Sequence, residues 1–140
     1  MRLHHIVPLS LLVAGVSAGK VHQLHAQVAA PTTVPPGTYV LTLKEGDQAP
    51  PQAMGEWEFH VDSAGAYRWT RGGNMVVRGE LQVVADTVSL VDREGDVDLV
   101  CDEAGRYLWS VTSEGLRFAE IKDDCGPRPI LLGTRTLRRK

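Results

Sequence analysis

Few residues in this 140-residue chain have the type and spacing that chemistry needs. His60 and Asp62 stand two apart, and a histidine beside a carboxylate is the arrangement of a general base. A surface histidine next to an acidic turn gives the same pattern. No G-x-S-x-G or comparable nucleophile motif accompanies the pair, so no catalytic residue is assigned. The acidic run Asp92, Glu94, Asp96, Asp98, Asp102, Glu103 raises the question of calcium. Its glycine, Gly95, is misplaced for an EF-hand loop, and no helical pattern flanks it, so a solvated hairpin tip is expected. Outside residues 1–26 the chain has one histidine, His60, and two cysteines, which cannot make a standard zinc site once the cysteines pair. Neither metal nor cofactor is expected.

The first residues explain why so little remains. Arg2 precedes an almost uncharged run from Ile6 to Ala18, followed by small residues at Ala18 and Ala26. This is the layout of a secretory signal peptide, with cleavage after either alanine. Residues 1–26 are read as the leader. Their removal takes away four of five histidines and leaves 13 basic and 17 acidic residues, a net charge of −4. Such a balance excludes the basic footprint of a nucleic-acid binder. No run of 18 apolar residues is present to span a membrane as a helix. The expected location is periplasmic or secreted. In that oxidising setting Cys101 and Cys125, the only two cysteines, are expected to form a disulfide. Closing a loop of about 25 residues stabilises the fold by roughly 3.5 kcal/mol on a chain-entropy account.

Elements that could position side chains are strands throughout. Residues 27–37 are a Pro-rich tether, and no proline occurs between Gln52 and Gly126, the interval in which central strands can run. Apolar residues alternate at Tyr39, Leu41, Leu43; Trp57, Phe59, Val61; Tyr67, Trp69; Met75, Val77; Leu81, Val83; Val88, Leu90; Val97, Leu99, Cys101; Tyr107, Trp109, Val111; and Leu116, Phe118. Ile130, Leu132 and Leu137 suggest a closing strand. Short turns at 62–65, 71–74, 85–86, 92–95, 102–105 and 112–115 join them. Residues 58–69 and 98–109 repeat Asp, Ala, Gly, Tyr and Trp in register, a structural echo either of shared turn chemistry or of a duplicated half-barrel. The expected fold is all-β: an up-and-down meander of eight or nine short antiparallel strands over 38–137, closed into a barrel, with a basic solvated tail at 138–140.

Gly55-Glu56-Trp57 matches the Gly-x-Trp signature of lipocalins. With Cys101, Gly105-Arg106-Tyr107-Leu108-Trp109, Asp123-Asp124-Cys125 and Arg128, it resembles small exported bacterial lipocalin-like (calycin-type) proteins over roughly residues 37–137. The resemblance implies that Trp57 plugs one barrel end and that Arg128 or Arg135 stacks on it. The chain departs from lipocalins in having a strand before Gly-x-Trp, a shorter length and no long C-terminal helix. These departures bear on the ligand cavity more than on the barrel.

The aromatic residues Tyr39, Trp57, Tyr67, Trp69, Tyr107 and Trp109 lie on the apolar register and are the candidate walls of a ligand site. An eight-stranded barrel is just wide enough to pack itself or to hold one small ligand. Two functions are therefore expected of a non-enzymatic monomer. One is binding of a small hydrophobic or aromatic molecule in the barrel. The other is a self-packed barrel that meets a protein partner, as an envelope interaction module or enzyme inhibitor, through loop 45–54, the longest internal connection.

Overall fold

A computed structural model of the chain describes residues 31–133 and 135–140. The leader and the first residues of the tether lie outside the described residues. Eight antiparallel strands close into a barrel in sequence order: β1 (Gly37–Leu43), β2 (Gly55–Val61), β3 (Ala66–Arg71), β4 (Asn74–Val84), β5 (Thr87–Gly95), β6 (Gly105–Val111), β7 (Gly115–Lys122) and β8 (Thr136–Arg139). The period-2 pattern dictates which side chains turn inward. In register, Tyr39 faces Phe59, Phe59 faces Trp69, Trp109 faces Phe118 and Leu116 faces Leu137. All of these are buried. Phe59 is the hub: its ring centroid lies 4.7 Å from that of Trp69, 5.5 Å from Tyr67 and 6.1 Å from Phe118.

Two turns show the sequence acting directly on the backbone. Gly72 and Gly73 both take positive φ, 57° and 82°, which a two-residue hairpin with the right-handed strand twist requires. Gly65, at φ 84°, ends the β2–β3 turn, whose backbone is held by Asp62.

Four expectations need correction. Residues 92–95 are not a turn but the last part of β5, and the β5–β6 connection is 96–104. Val97, Leu99 and Cys101 form no strand: the amides of Leu99 and Val100 both donate to the Asp96 carbonyl, making one helical turn with Val97 in solvent. Ile130 and Leu132 belong to a short helix, α1 (Pro127–Leu132), whose prolines sit in its first turn where no amide is needed. The basic end of the chain is not a solvated tail. Arg138 and Arg139 pair with β1 as part of β8, and the Lys140 amide donates to Thr38 O.

An up-and-down barrel sends alternate connections to opposite ends. At one end lie the tight turns 62–65, 85–86 and 112–114. At the other lie the three long connections, 44–54, 96–104 and 123–135, with the 72–73 turn. The disulfide Cys101–Cys125, with Cα atoms 5.8 Å apart, ties two of the three together.

Candidate functional site

The end that carries the long connections is built around an ion cluster inside the barrel. Arg128, on α1, is only 4% exposed. Its Nε donates to Asp123 Oδ2 at 2.6 Å, and its Nη2 donates to Asp123 Oδ1 at 3.0 Å and to the Glu103 carbonyl at 2.7 Å. Asp92, which continues the inward register of Val88 and Leu90, places Oδ1 at 3.2 Å from Nη1. That contact is an ion pair without hydrogen-bond geometry, so Nη1 is a buried donor with no hydrogen-bond acceptor among the described residues. The Tyr67 hydroxyl donates to Asp92 and the Tyr107 hydroxyl to Asp123. The backbone completes both carboxylates: Cys101 N–H donates to Asp92 Oδ2 at 2.9 Å and Cys125 N–H to Asp123 Oδ1 at 3.0 Å. The disulfide and the ion cluster are therefore one assembly.

Glycine makes the approach possible. A Cβ on Gly105 would fall 2.6 Å from Asp123 Cγ and 2.7 Å from Arg128 Nε, closer than any side chain tolerates. Burial alone would raise the Asp123 carboxyl. Hydrogen bonds from Arg128, Tyr107 and the Cys125 amide outweigh it and hold the group below its ordinary value. Burial, reinforced by the carboxylate each one meets, pushes the Tyr67 and Tyr107 hydroxyls far up, so both remain donors.

Trp57 forms the rim. Its indole N–H donates to Ala53 O at 2.8 Å, and the Arg71 guanidinium lies 4.8 Å above its ring. The resemblance suggested Arg128 or Arg135 for this stacking position. Arg128 is engaged by the ion cluster, and Arg135 donates to the Asp47 carbonyl instead. Arg71 also donates to Gln52 O and Met54 O, both at 2.6 Å. Loop 45–54, with its 3₁₀ turn Pro51–Ala53, is thus held from both sides by arginines on backbone carbonyls.

Two spaces adjoin the rim. A groove of about 520 Å³ is lined by Pro50 and Ala53 of the first long connection, Leu99 of the second, Ile130 and Leu131 of the third, and by Trp57. Behind it, a cavity of about 20 Å³ reaches Arg128 and Asp92 between Trp69, Val76 and Val77. Trp57, Leu99, Pro127 and Leu131 are walls common to both.

The six aromatic positions read from the sequence all fall inside, from Tyr107 at 0% exposed to Trp109 at 8%. They do not surround one chamber. Trp57 and Trp69 border the small cavity, and Tyr67 and Tyr107 serve the ion cluster. Tyr39 and Trp109 donate to Pro35 O and Ala85 O. His60 and Asp62 border the same depression on the outer face but make no hydrogen bond or ion pair with each other. His60 sits on the outer face, with Nδ1 3.0 Å from Thr38 Oγ1, and Nε2 3.1 Å from Thr70 Oγ1 and 3.3 Å from Glu58 Oε2. Its partial burial and then Arg68 hold it below the ordinary histidine value against the pull of Glu58. Asp62 instead accepts from the amides of Ala64 and Ala66. The acidic run is dispersed as well: Asp92 points inward and Glu94 pairs with Arg78 at 2.6 Å. Among the described residues no group of three or more His, Cys, Asp or Glu could hold a metal ion. Nor is any described helix long and apolar enough to cross a membrane.

Sequence reasoning missed the Arg128–Asp92–Asp123 cluster. One signal was present: Asp92 falls two residues after Leu90 and four after Val88, on the core side of an alternating run. Comparison with protein-family models, curated proteins and solved structures finds no match to this chain.

Proposed function

We propose that this chain is an exported, non-enzymatic barrel that binds a small hydrophobic or aromatic molecule in the groove at the end carrying its long connections. The observation that carries the reading is the convergence of all three long connections on one space, while the barrel interior is filled by aromatic rings. A groove of about 520 Å³ lies within the range of roughly 300–1,000 Å³ typical of small-ligand sites. Its walls are mainly apolar and include Trp57, with Arg71 and Asp98 as the charged residues of the lining. The site expected inside the barrel moves to its mouth, because the cavity among the aromatics has room for about one water-sized group. Export is supported by the disulfide and the leader-like residues 1–26. The likeness to lipocalin-like proteins rests on Gly55-Glu56-Trp57 together with the string from Cys101 to Arg128, with Arg71 rather than Arg128 over the Trp57 ring.

A second reading draws support from the anchoring of loop 45–54 by Arg71 and Arg135. A loop held in one conformation loses little entropy on association, which suits a protein-docking element. Native mass spectrometry of residues 27–140, purified from an oxidising compartment without detergent, separates the two. Small-ligand binding predicts a non-covalent adduct of a few hundred daltons that Ile130→Arg removes. A bare monomer in both proteins, with no thermal shift by naphthalene, overturns it and leaves the loop as the working surface.

A further inference from the structure

We infer that the groove selects neutral molecules carrying one hydrogen-bond acceptor oxygen, such as an aryl ketone, which that oxygen anchors to Arg128 Nη1 through the small cavity. The inference rests on the groove being the binding site and specifies what it prefers. Arg128 has used Nε and Nη2 on Asp123 and Glu103, and Nη1 meets Asp92 Oδ1 at 3.2 Å as an ion pair without making a hydrogen bond. A buried guanidinium N–H that makes no hydrogen bond is an expensive group even beside a counter-charge, and an oxygen supplied by a ligand would satisfy it.

Size and charge then narrow the class. The cavity that Arg128 borders measures about 20 Å³, about one probe sphere with little to spare, so it takes a single oxygen and not a carboxylate or phosphate. Two carboxylates, Asp92 and Asp123, already face the one guanidinium inside the barrel. An anion brought to Nη1 would meet that surplus of negative charge at low dielectric, whereas a carbonyl oxygen would not. Leu99, Leu131, Pro127 and Trp57 border both spaces. A flat apolar body in the groove, lying against Trp57, can direct its oxygen between them.

The test compares three naphthalenes of nearly equal shape on the disulfide-bonded protein: 2-acetylnaphthalene, its isostere 2-isopropenylnaphthalene, and 2-naphthoate. Affinities come from isothermal titration, and the Arg128 side-chain ¹⁵N resonances report contact at the guanidinium. A hydrogen bond to a charged donor predicts that the ketone binds at least about tenfold tighter than the hydrocarbon. Naphthoate should bind no tighter than the hydrocarbon, and only the ketone should shift the Arg128 signals. Val77→Ile adds one methyl group to a residue that borders the small cavity and not the groove. It should reduce the ketone's advantage to near unity and leave hydrocarbon binding intact. Equal affinity of ketone and hydrocarbon overturns the acceptor preference while the groove reading stands. Tightest binding by naphthoate also overturns it and points to Arg71. If none of the three perturbs groove resonances, the groove reading falls with it.

Discussion

Replacing Arg128 by methionine keeps most of the side-chain volume and removes the guanidinium from two carboxylates. Asp123 would lose the contacts at 2.6 and 3.0 Å, Glu103 O the one at 2.7 Å and Asp92 its ion pair at 3.2 Å. Breaking a buried pair by removing one partner costs about 3–5 kcal/mol, because an uncompensated charge stays behind. Against a usual domain stability of about 5–15 kcal/mol, that is a large fraction. Removing the charge left behind should return part of the loss. Asp123→Asn in the Arg128→Met background is therefore expected to cost at least about 1 kcal/mol less than the sum of the two single changes. Urea titration followed by tryptophan fluorescence, with the four proteins of the cycle compared at fixed pH, reads this directly. An Arg128→Met loss below about 1 kcal/mol, or an additive cycle, would refute the claim that the cluster acts as one buried unit.

Other consequences are simpler to read. Gly105→Ala should destabilise by several kcal/mol, at least about 2, since its methyl group collides with Asp123 and Arg128; a thermal melt unchanged by the substitution would contradict the packing. Opening the Cys101–Cys125 bond with a reductant should cost about 3.5 kcal/mol, measured as the shift in urea midpoint. For Asp123 the folded carboxyl titrates below its ordinary 3.8. Its contribution is therefore complete above that pH and is lost as the pH falls through the lower, folded value. Acid titration of Asp123→Asn should show a flatter limb than the parent below pH 3.8, and parallel limbs would refute the assignment. Trp57→Phe removes the hydrogen bond to Ala53 and should raise amide exchange in residues 52–54 more than at the opposite barrel end.

Where alternation and turn chemistry agreed, the barrel was legible in the chain. Trp57, Phe59 and Val61, Tyr67 and Trp69, and Tyr107 and Trp109 all face inward as their spacing requires, and Gly72-Gly73 turns where it must. The failures have two causes, contacts distant in sequence and helical turns too short to show a period. Asp92-Arg93-Glu94-Gly95 has the composition of a turn, yet β5 runs through it, because Arg128, 36 residues later, compensates Asp92 inside the barrel. Ile130 and Leu132 suggested part of a closing strand, but they lie in a six-residue helix that Pro127 and Pro129 open, too short to show a period. Arg71 over Trp57 continues the inward register of Tyr67 and Trp69 past the irregularity between Trp69 and Thr70. The groove itself could not be read, since it exists only where three separate connections meet.

The central claim is that the barrel interior is closed and that binding occurs at the end with the long connections. The most direct test maps ¹H–¹⁵N shifts as naphthalene is titrated into the oxidised protein. The account predicts movement of the Trp57 indole and of the amides of Ala53, Leu99, Ile130 and Leu131, with the Trp109 indole, bonded to Ala85 at the opposite end, unmoved. Movement of Trp109 and Tyr39 with Ala53 and Ile130 silent would contradict it and place the ligand inside the barrel.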